Sequence, residues 1–473
     1  MFFLITLLSI FCLWLLVICA RAIMFKPAPE TDFPKTAPGS IDSQGAIKNL
    51  QAMIKVATVS SDPGALKEFR ALLPKLYPLL HKHCTYEKVG EGGMLFHWKG
   101  KAADKPTVYM SHYDVVPAEE AKWRKPPYSA EYENGEIWGR GTLDTKATLC
   151  AALEAAEALL SQGFVPAQDI YFAFGGDEET TGLDALAIVE LLKSRNVKPA
   201  LVLDEGGAVV ENVFPGVKQA VALIGSGEKG LTNIRFAVNS QGGHSMAPPK
   251  NSPIVVLARA VARLEERPFQ ARVSDPVRQM FDILGRHSSF AYRLIFANLW
   301  CFSGLLALIC KKMGGELNAM VRTTCAFTQM QGSPAMNVLP PYAEIVANLR
   351  LLPPDTPESA LAYVKEQVNN QNITITTIDG DGGPHFSNTD NEGYRRVVAG
   401  IKAIWPQAVV SPYLMMARTD SRHFRLISDV VLRFSGTRMS AEDRKTIHGN
   451  DERIGEGQFL EMLMFYRQIV GAS

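Results

Sequence analysis

Three apolar segments of this chain run straight into acids or histidine, and helical stretches lie between them. DIYFAFGGDEE (169–179) and PALVLDEGG (199–207) end in Asp and Glu, and PTVYMSHYDVV (106–116) closes on a His-x-Asp pair. LDTKATLCAALEAAEALLSQG (143–163) and LDALAIVELLKSR (183–195) have helical periodicity. Near-continuous apolar strands alternating with helices restrict the fold to α/β, with a sheet covered on both faces. Binding residues in such sheets collect beyond the carboxyl ends of the strands, where these polar clusters sit.

From about 229 to 380 the grammar changes. GLTNIRFAV, TTCAFTQMQ, AEIVANLRLL and ITITTID read as strands, and SPIVVLARAVARLEE and ESALAYVKEQV as helices. Their order is β-α-β-β-α-β, the ferredoxin-like α+β pattern. An insertion, 268–320, interrupts it. The α/β pattern resumes with a helix at GYRRVVAGIKAIW and a strand at VVLRFS. The expected organisation is one α/β domain of 45–228 plus 381–473, interrupted by a smaller domain at 229–380.

Residues 2–20 carry no charge. As a helix they span about 28 Å, close to the hydrocarbon thickness of a bilayer. Residues 1–22 are read as a membrane anchor or a cleaved signal, and 23–44 as a Pro-rich tether. Arg21, Lys26 and Lys35 all follow the apolar run, which by the positive-inside rule would keep the body in the cytoplasm. Signal-anchor usage would export it, and the expectation leans to a single-pass protein with an exported body, secreted if the segment is cleaved. A second apolar run, LIFANLWCFSGLLALIC (294–310), is interrupted by Asn298, Ser303 and Gly304. A span there would place the halves of the body on opposite sides of a membrane, so it is read as a buried or membrane-grazing helical hairpin.

Composition narrows the chemistry. Lys+Arg number 49 against 48 Asp+Glu, so the net charge of +1 gives no support for a nucleic-acid partner. Seven Cys without a CxxC pair argue against a thiolate zinc site. Five clusters remain: His112 and Asp114 in SHYDVVP, Asp144 in GRGTLDTK, Asp177, Glu178 and Glu179 in GGDEET, Asp204 and Glu205 in LDEGG, and His448 in IHGNDER. Imidazole with carboxylate suits Zn²⁺, and a pair of such ions needs about five to six ligands with one shared. Each cluster alone has an ordinary reading: a solvated acidic loop, a helix cap at Asp144, turn chemistry at Glu205. Four of them sit at predicted strand ends of one sheet, and that shared setting points to a single site.

These motifs, together with GGHSMAPP, resemble the dizinc aminoacylase and carboxypeptidase family, which includes glutamate carboxypeptidase. TDSRHF at 419–424 is similar to the branch of carboxypeptidase S and N-fatty-acyl-amino-acid synthase/hydrolase. The resemblance covers about 45–470. It implies that the α/β domain is catalytic and that 229–380 is a lid or dimerisation domain. His112 would bind one zinc and Asp144 would bridge both. Glu179 and His448 would hold the second zinc, and the acid of LDEGG, Glu205 or Asp204 with Glu205 chosen, would complete the first. Asp114 would orient His112 by accepting its other ring N–H, and Glu178 would be the general base toward a zinc-activated water. His244 would stabilise the oxyanion, often across a dimer, and Asn337 and Arg350 would contact substrate, Arg350 at its α-carboxylate. The implied cofactors are two Zn²⁺, with Co²⁺ or Mn²⁺ suiting the same donors. The implied activity is hydrolysis of an amide next to a free carboxylate, in short peptides or N-acyl amino acids. A long-chain N-acyl amino-acid synthase/hydrolase is the alternative within enzymes, and a silent membrane-tethered binding protein the alternative outside them. The chain departs from the family pattern at Ala147, at Thr180-Thr181-Gly182 and in MMAR (415–418).

Overall fold

The computed structural model describes residues 2–27, 41–212, 214–380 and 383–473. Most of the Pro-rich tether, 28–40, lies outside the described residues. The chain opens with α1 (Phe2–Met24), followed by strands β1 (Thr85–Val89), β2 (Gly93–Trp98) and β3 (Ala102–His112). Next come α2 (Lys146–Ser161), β4 (Gln168–Gly175), α3 (Leu183–Ser194), β5 (Leu201–Asp204) and β6 (Val221–Glu228). The following stretch holds β7 (Gly230–Asn239), α4 (Pro253–Glu266), α5 (Asp275–His287), α6 (Phe290–Phe296) and α7 (Leu299–Met313). After it come β8 (Thr324–Gln331), β9 (Tyr342–Leu351), α8 (Pro357–Val368) and β10 (Thr374–Gly380). The last elements used below are α9 (Glu392–Ile404), β11 (Val409–Met415), β12 (Val431–Arg433) and α10 (Glu456–Gly471).

The fold is mixed α/β. A ten-stranded sheet runs β1-β2-β4-β3-β5-β12-β6, with β11 and the two short strands Val209–Val210 and His385–Phe386 also on β6. Its centre, β4-β3-β5-β12, is parallel throughout. Period-two alternation sends successive side chains to opposite faces. Phe96, Tyr109, Phe172 and Phe174 pack on one face with Leu149 and Leu153 of α2 and Phe465 of α10. Leu95, Val108, Met110 and Ala173 pack on the other with Val189 of α3. Because α2 is alanine-rich, it fits closely between sheet and α10, and Ala147, Ala151 and Ala155 are fully buried there.

A second, four-stranded antiparallel sheet, β8-β9-β7-β10, packs against α4 and α8 around its own core of Phe236, Leu257, Leu349 and Val364. The first helix continues to Met24, and near its end Ala22 is buried and Arg21 bonds to Ala297. The run 294–310 spans the end of α6 and most of α7, two helices bent by 104° at a short break. Asn298 sits at that break, its side chain donating to Leu294 O and Ile18 O.

Candidate metal centre

The parallel centre of the sheet delivers its strand ends to one place. β3 stops at His112, which is paired with Gly175, the last residue of β4. Gly176–Glu179 leave from there as a turn. β5 stops at Asp204 opposite Arg433 of β12. Gly207, just beyond, has no room for a side chain: a Cβ would lie 2.1 Å from Leu223 O and 2.5 Å from Arg433 O. That close approach holds the Glu205 turn against the sheet.

Asp144 lies between two imidazoles. His112 Nε2 is 2.9 Å from Asp144 Oδ1, and His448 Nε2 is 3.0 Å from Asp144 Oδ2. His448 Nε2 is also 3.1 Å from Glu179 Oε2. Donor atoms of His112, Asp144 and Glu179 all lie within 4.8 Å of one another. These residues are 32 or more positions apart in sequence, so only the tertiary fold assembles them.

Supporting bonds fix each of them. His112 Nδ1 is 3.0 Å from the Asp114 carbonyl oxygen and 3.3 Å from its carboxylate Oδ1. The expected orienting role of the Asp114 side chain is therefore shared with its own backbone. A proton on Nδ1 leaves the Nε2 lone pair free for a cation. The Asp114 carboxylate meanwhile accepts Ser60 Oγ–H at 2.7 Å and the backbone N–H groups of Glu178 and Glu179 at 3.2 and 3.1 Å. It thereby clamps the turn that carries both glutamates.

Glu452 does the same for Asp144. It is fully buried and accepts N–H bonds from Gly141, Leu143 and Asp144 at 3.0, 2.7 and 3.1 Å. Arg140 Nη1 lies 2.7 Å away and neutralises it. Ser60 and Glu452 were missed by reading motifs. The only sequence signal was Glu452 inside IHGNDER, four residues after His448. Asp204 directs its oxygens to the N–H groups of Glu205 (2.9 Å) and Ser421 (3.1 Å), so TDSRHF docks onto the floor of the site.

The electrostatics are those of an acid-rich pocket. Burial, reinforced by Asp420, Asp144 and Glu179, pushes the Glu178 carboxyl up to about 8. Burial and the charges of Asp144, Asp204 and Glu178 raise Glu205 well above the usual carboxylate range. Bonds to Asp144 and Glu179 push His448 up to about 10. Burial works against ionised Asp144, yet its bonds to His112 and His448 hold it below the usual range. Clustered carboxylates facing two imidazoles leave surplus negative charge, which a divalent cation would neutralise. The nitrogen and oxygen donors fit zinc, cobalt or manganese.

Residues 108–472 match the model of peptidase family M20/M25/M40. The chain belongs to this family. Among curated M20 relatives, N-fatty-acyl-amino acid synthase/hydrolase PM20D1.1 of Danio rerio is 36% identical, covering 100% of this chain and 95% of its own length. Carboxypeptidase S of Saccharomyces cerevisiae is 26% identical over 90% of this chain and 84% of its own. Among solved structures, the M20 family metallo-carboxypeptidase Sso-CP2 of Sulfolobus solfataricus superposes with TM-score 0.67 at 17% identity, covering 90% of this chain and 98% of that one. Membership of M20 makes this chain an enzyme, a hydrolase of amide bonds.

The three expected substrate contacts belong to the smaller sheet region. His244 and Asn337 are exposed neighbours on a two-stranded ribbon, Gly243–His244 against Val338–Leu339, where Ser245 N donates to Asn337 O at 3.0 Å. Arg350 lies on β9 opposite Leu231 of β7, with Nε 3.2 Å from Asn348 Oδ1.

Proposed function

We propose that this M20 enzyme hydrolyses an amide next to a free carboxylate, using two divalent cations, zinc by donor type. The carrying observation is Asp144, whose two oxygens each face a different imidazole, as a bridging carboxylate would. His112 and Glu205, rather than Asp204, complete one site with Asp144, and Glu179 and His448 complete the other. When bound, such a pair of ions supplies an acidified water and a polarised carbonyl. Glu178 takes the proton of the attacking water and returns it to the leaving amine. Asp114 positions His112 and the Glu178–Glu179 turn. Arg350 binds the substrate carboxylate as a planar bidentate donor, and Asn337 contacts the substrate beside it.

His244 stabilises the developing oxyanion after closure of the 229–380 lid, in its own chain or in a second copy. Its exposure, with Met246 at 84% and Met336 at 105% beside it, supports a surface that something else covers. The substrates are N-acyl amino acids or short peptides. The name of the 36%-identical relative favours long acyl chains as a second reading. The test is amino-acid release from short-acyl, long-acyl and dipeptide substrates, with metal content measured on the same sample. Two ions per chain and chelator-sensitive release are expected, and the preferred acyl length chooses between the readings. One tightly bound ion with full activity would overturn the two-ion scheme.

A further inference from the structure

The insertion carries an apolar surface that the active site does not use. On α7, Trp300 (60%), Leu305 (48%), Leu308 (51%) and Ile309 (38%) are exposed, and at about 100° per residue they cover roughly half of the helix's circumference, from Trp300 on one side to Ile309 on the other. The helix ends in exposed Lys311 and Lys312. Soluble surfaces rarely present so broad an apolar face without a partner.

Two observations say what covers it. The first is continuity with α1, whose own apolar side chains are exposed and whose length suffices to cross a membrane. The body is clasped to that helix. Arg21 Nη2 donates to Ala297 O at 3.0 Å, Arg21 Nε to Asn298 Oδ1 at 3.1 Å, and Asn298 Nδ2 to Ile18 O at 3.2 Å. Phe302, in the first turn of α7, lies 6.3 Å from Trp14 of α1. If Arg21 marks the end of the apolar stretch, Ile18 and Trp14 lie roughly 4.5 and 10.5 Å inside it at about 1.5 Å per residue. The start of α7 is therefore level with the outermost hydrocarbon of any bilayer that α1 crosses.

The second is charge. Arg21, Arg278 and Arg286 line a cavity of about 420 Å³ between the end of α1 and the α6–α7 corner, where Asp282 pairs with Arg286 and Asp275 with Arg278. Arg21 beside one end of α7, and Lys311 and Lys312 at its other end, supply positive charge for anionic headgroups above acyl chains.

We propose that α7 lies in the body-side interfacial layer of a lipid bilayer, beside α1, with its Trp300–Leu305–Leu308–Ile309 face in the acyl chains. The chain thus meets the membrane through a span and a second, interfacial helix.

Fluorescence quenching of the full chain in vesicles of phosphatidylcholine and phosphatidylserine tests this. Trp98, Trp123, Trp138 and Trp405 are buried in the body at 4%, 8%, 7% and 5% exposure, so lipid-borne quenchers read Trp14 and Trp300. The Trp14→Leu protein isolates Trp300. Lipids brominated near the headgroup end of the chain should quench a distinct fraction of its emission, and adding Trp300→Leu should abolish that quenching. Unquenched Trp300 with red-shifted emission would place α7 in water and overturn the proposal. Unquenched Trp300 with blue-shifted emission would place a second protein copy on that face and overturn it equally. The same quenching on pure phosphatidylcholine would remove the headgroup contribution and retain the apolar one.

Discussion

At the ends of β3 and β5 the chain buries His112, Asp114 and Asp204, while along α7 it leaves Trp300, Leu305, Leu308 and Ile309 exposed. Both regions depart from the usual distribution of polar and apolar side chains, in opposite directions. In the first, the buried carboxylates that support the site are held by named partners: Asp114 by Ser60 and two backbone N–H groups, Glu452 by Arg140 and three. Burying a charge is costly unless its bonds are made, so this density of bonds lets the acids persist. In the second, exposed apolar groups have no such compensation within the chain. The contrast teaches that a departure with internal compensation marks chemistry inside the molecule, and one without it marks a partner outside.

The largest effect should come from removing the proposed proton carrier while leaving the proposed ligands alone. Glu178→Gln is expected to lower kcat by about 10²–10⁴-fold with metal content unchanged. Metal loss in parallel would make Glu178 a ligand instead.

Next comes the internal compensation itself. Glu452→Ala strands Arg140 and three N–H groups, and breaking a buried pair this way costs about 3–5 kcal/mol. The thermal midpoint should fall, and metal affinity should weaken by about 10–100-fold as Asp144 loses its anchor. Glu452→Gln, which keeps two acceptor sites on one oxygen, should recover some of both. Full metal affinity in Glu452→Ala would show that the Asp144 loop holds itself.

The joint between the regions gives a smaller, pH-dependent signal. Lys229, between β6 and β7, donates to Ala319 O (3.0 Å) in the insertion and to Arg322 O (2.9 Å) just after it. Burial, and then Arg350, pushes its amine down to about 7. An unfolded lysine titrates near 10.4, so the folded chain binds fewer protons between these values. Stability should therefore rise as pH increases from about 7 toward 10, at most about 1.4 kcal/mol per pH unit from this group. Below about 7 the penalty is complete and flat. The difference in midpoint between Lys229→Met and the parent across this range isolates it, and parallel curves would remove Lys229 from the account.

The smallest effect sharpens the contrast directly. Leu308→Glu should change stability by no more than about 0.5 kcal/mol and leave kcat on water-soluble substrates unaltered. Val108→Glu, the same kind of change at a fully buried site in the main sheet, should unfold the protein. A large loss of stability in Leu308→Glu would mean that α7 is covered by the chain itself.

Much of the catalytic side of this contrast is legible in the sequence. Apolar strands ending in acids announce themselves locally, and the order of His112, Asp144, Glu178, Glu179 and His448 survives as motifs. What stays hidden is the compensation. Glu452 and Ser60 matter through bonds to residues 308 and 54 positions away, and only the place of Glu452 in IHGNDER hints at it. The second apolar run is visible as hydrophobicity, but its right-angled break is not. That break depends on Asn298 reaching Ile18, 280 positions earlier.

The clasp between Arg21 and the Ala297–Asn298 corner has a mechanical meaning as well. A body hung from one helix can rotate freely about that helix's axis. Here α7 extends from the clasp as a lever of about 22 Å, its 15 residues each rising 1.5 Å. With that lever resting on a surface, turning the body would require dragging α7 through the interface. The azimuth of the strand ends, and so the direction from which substrate must approach them, is then set by the torque that one asparagine and one arginine can transmit.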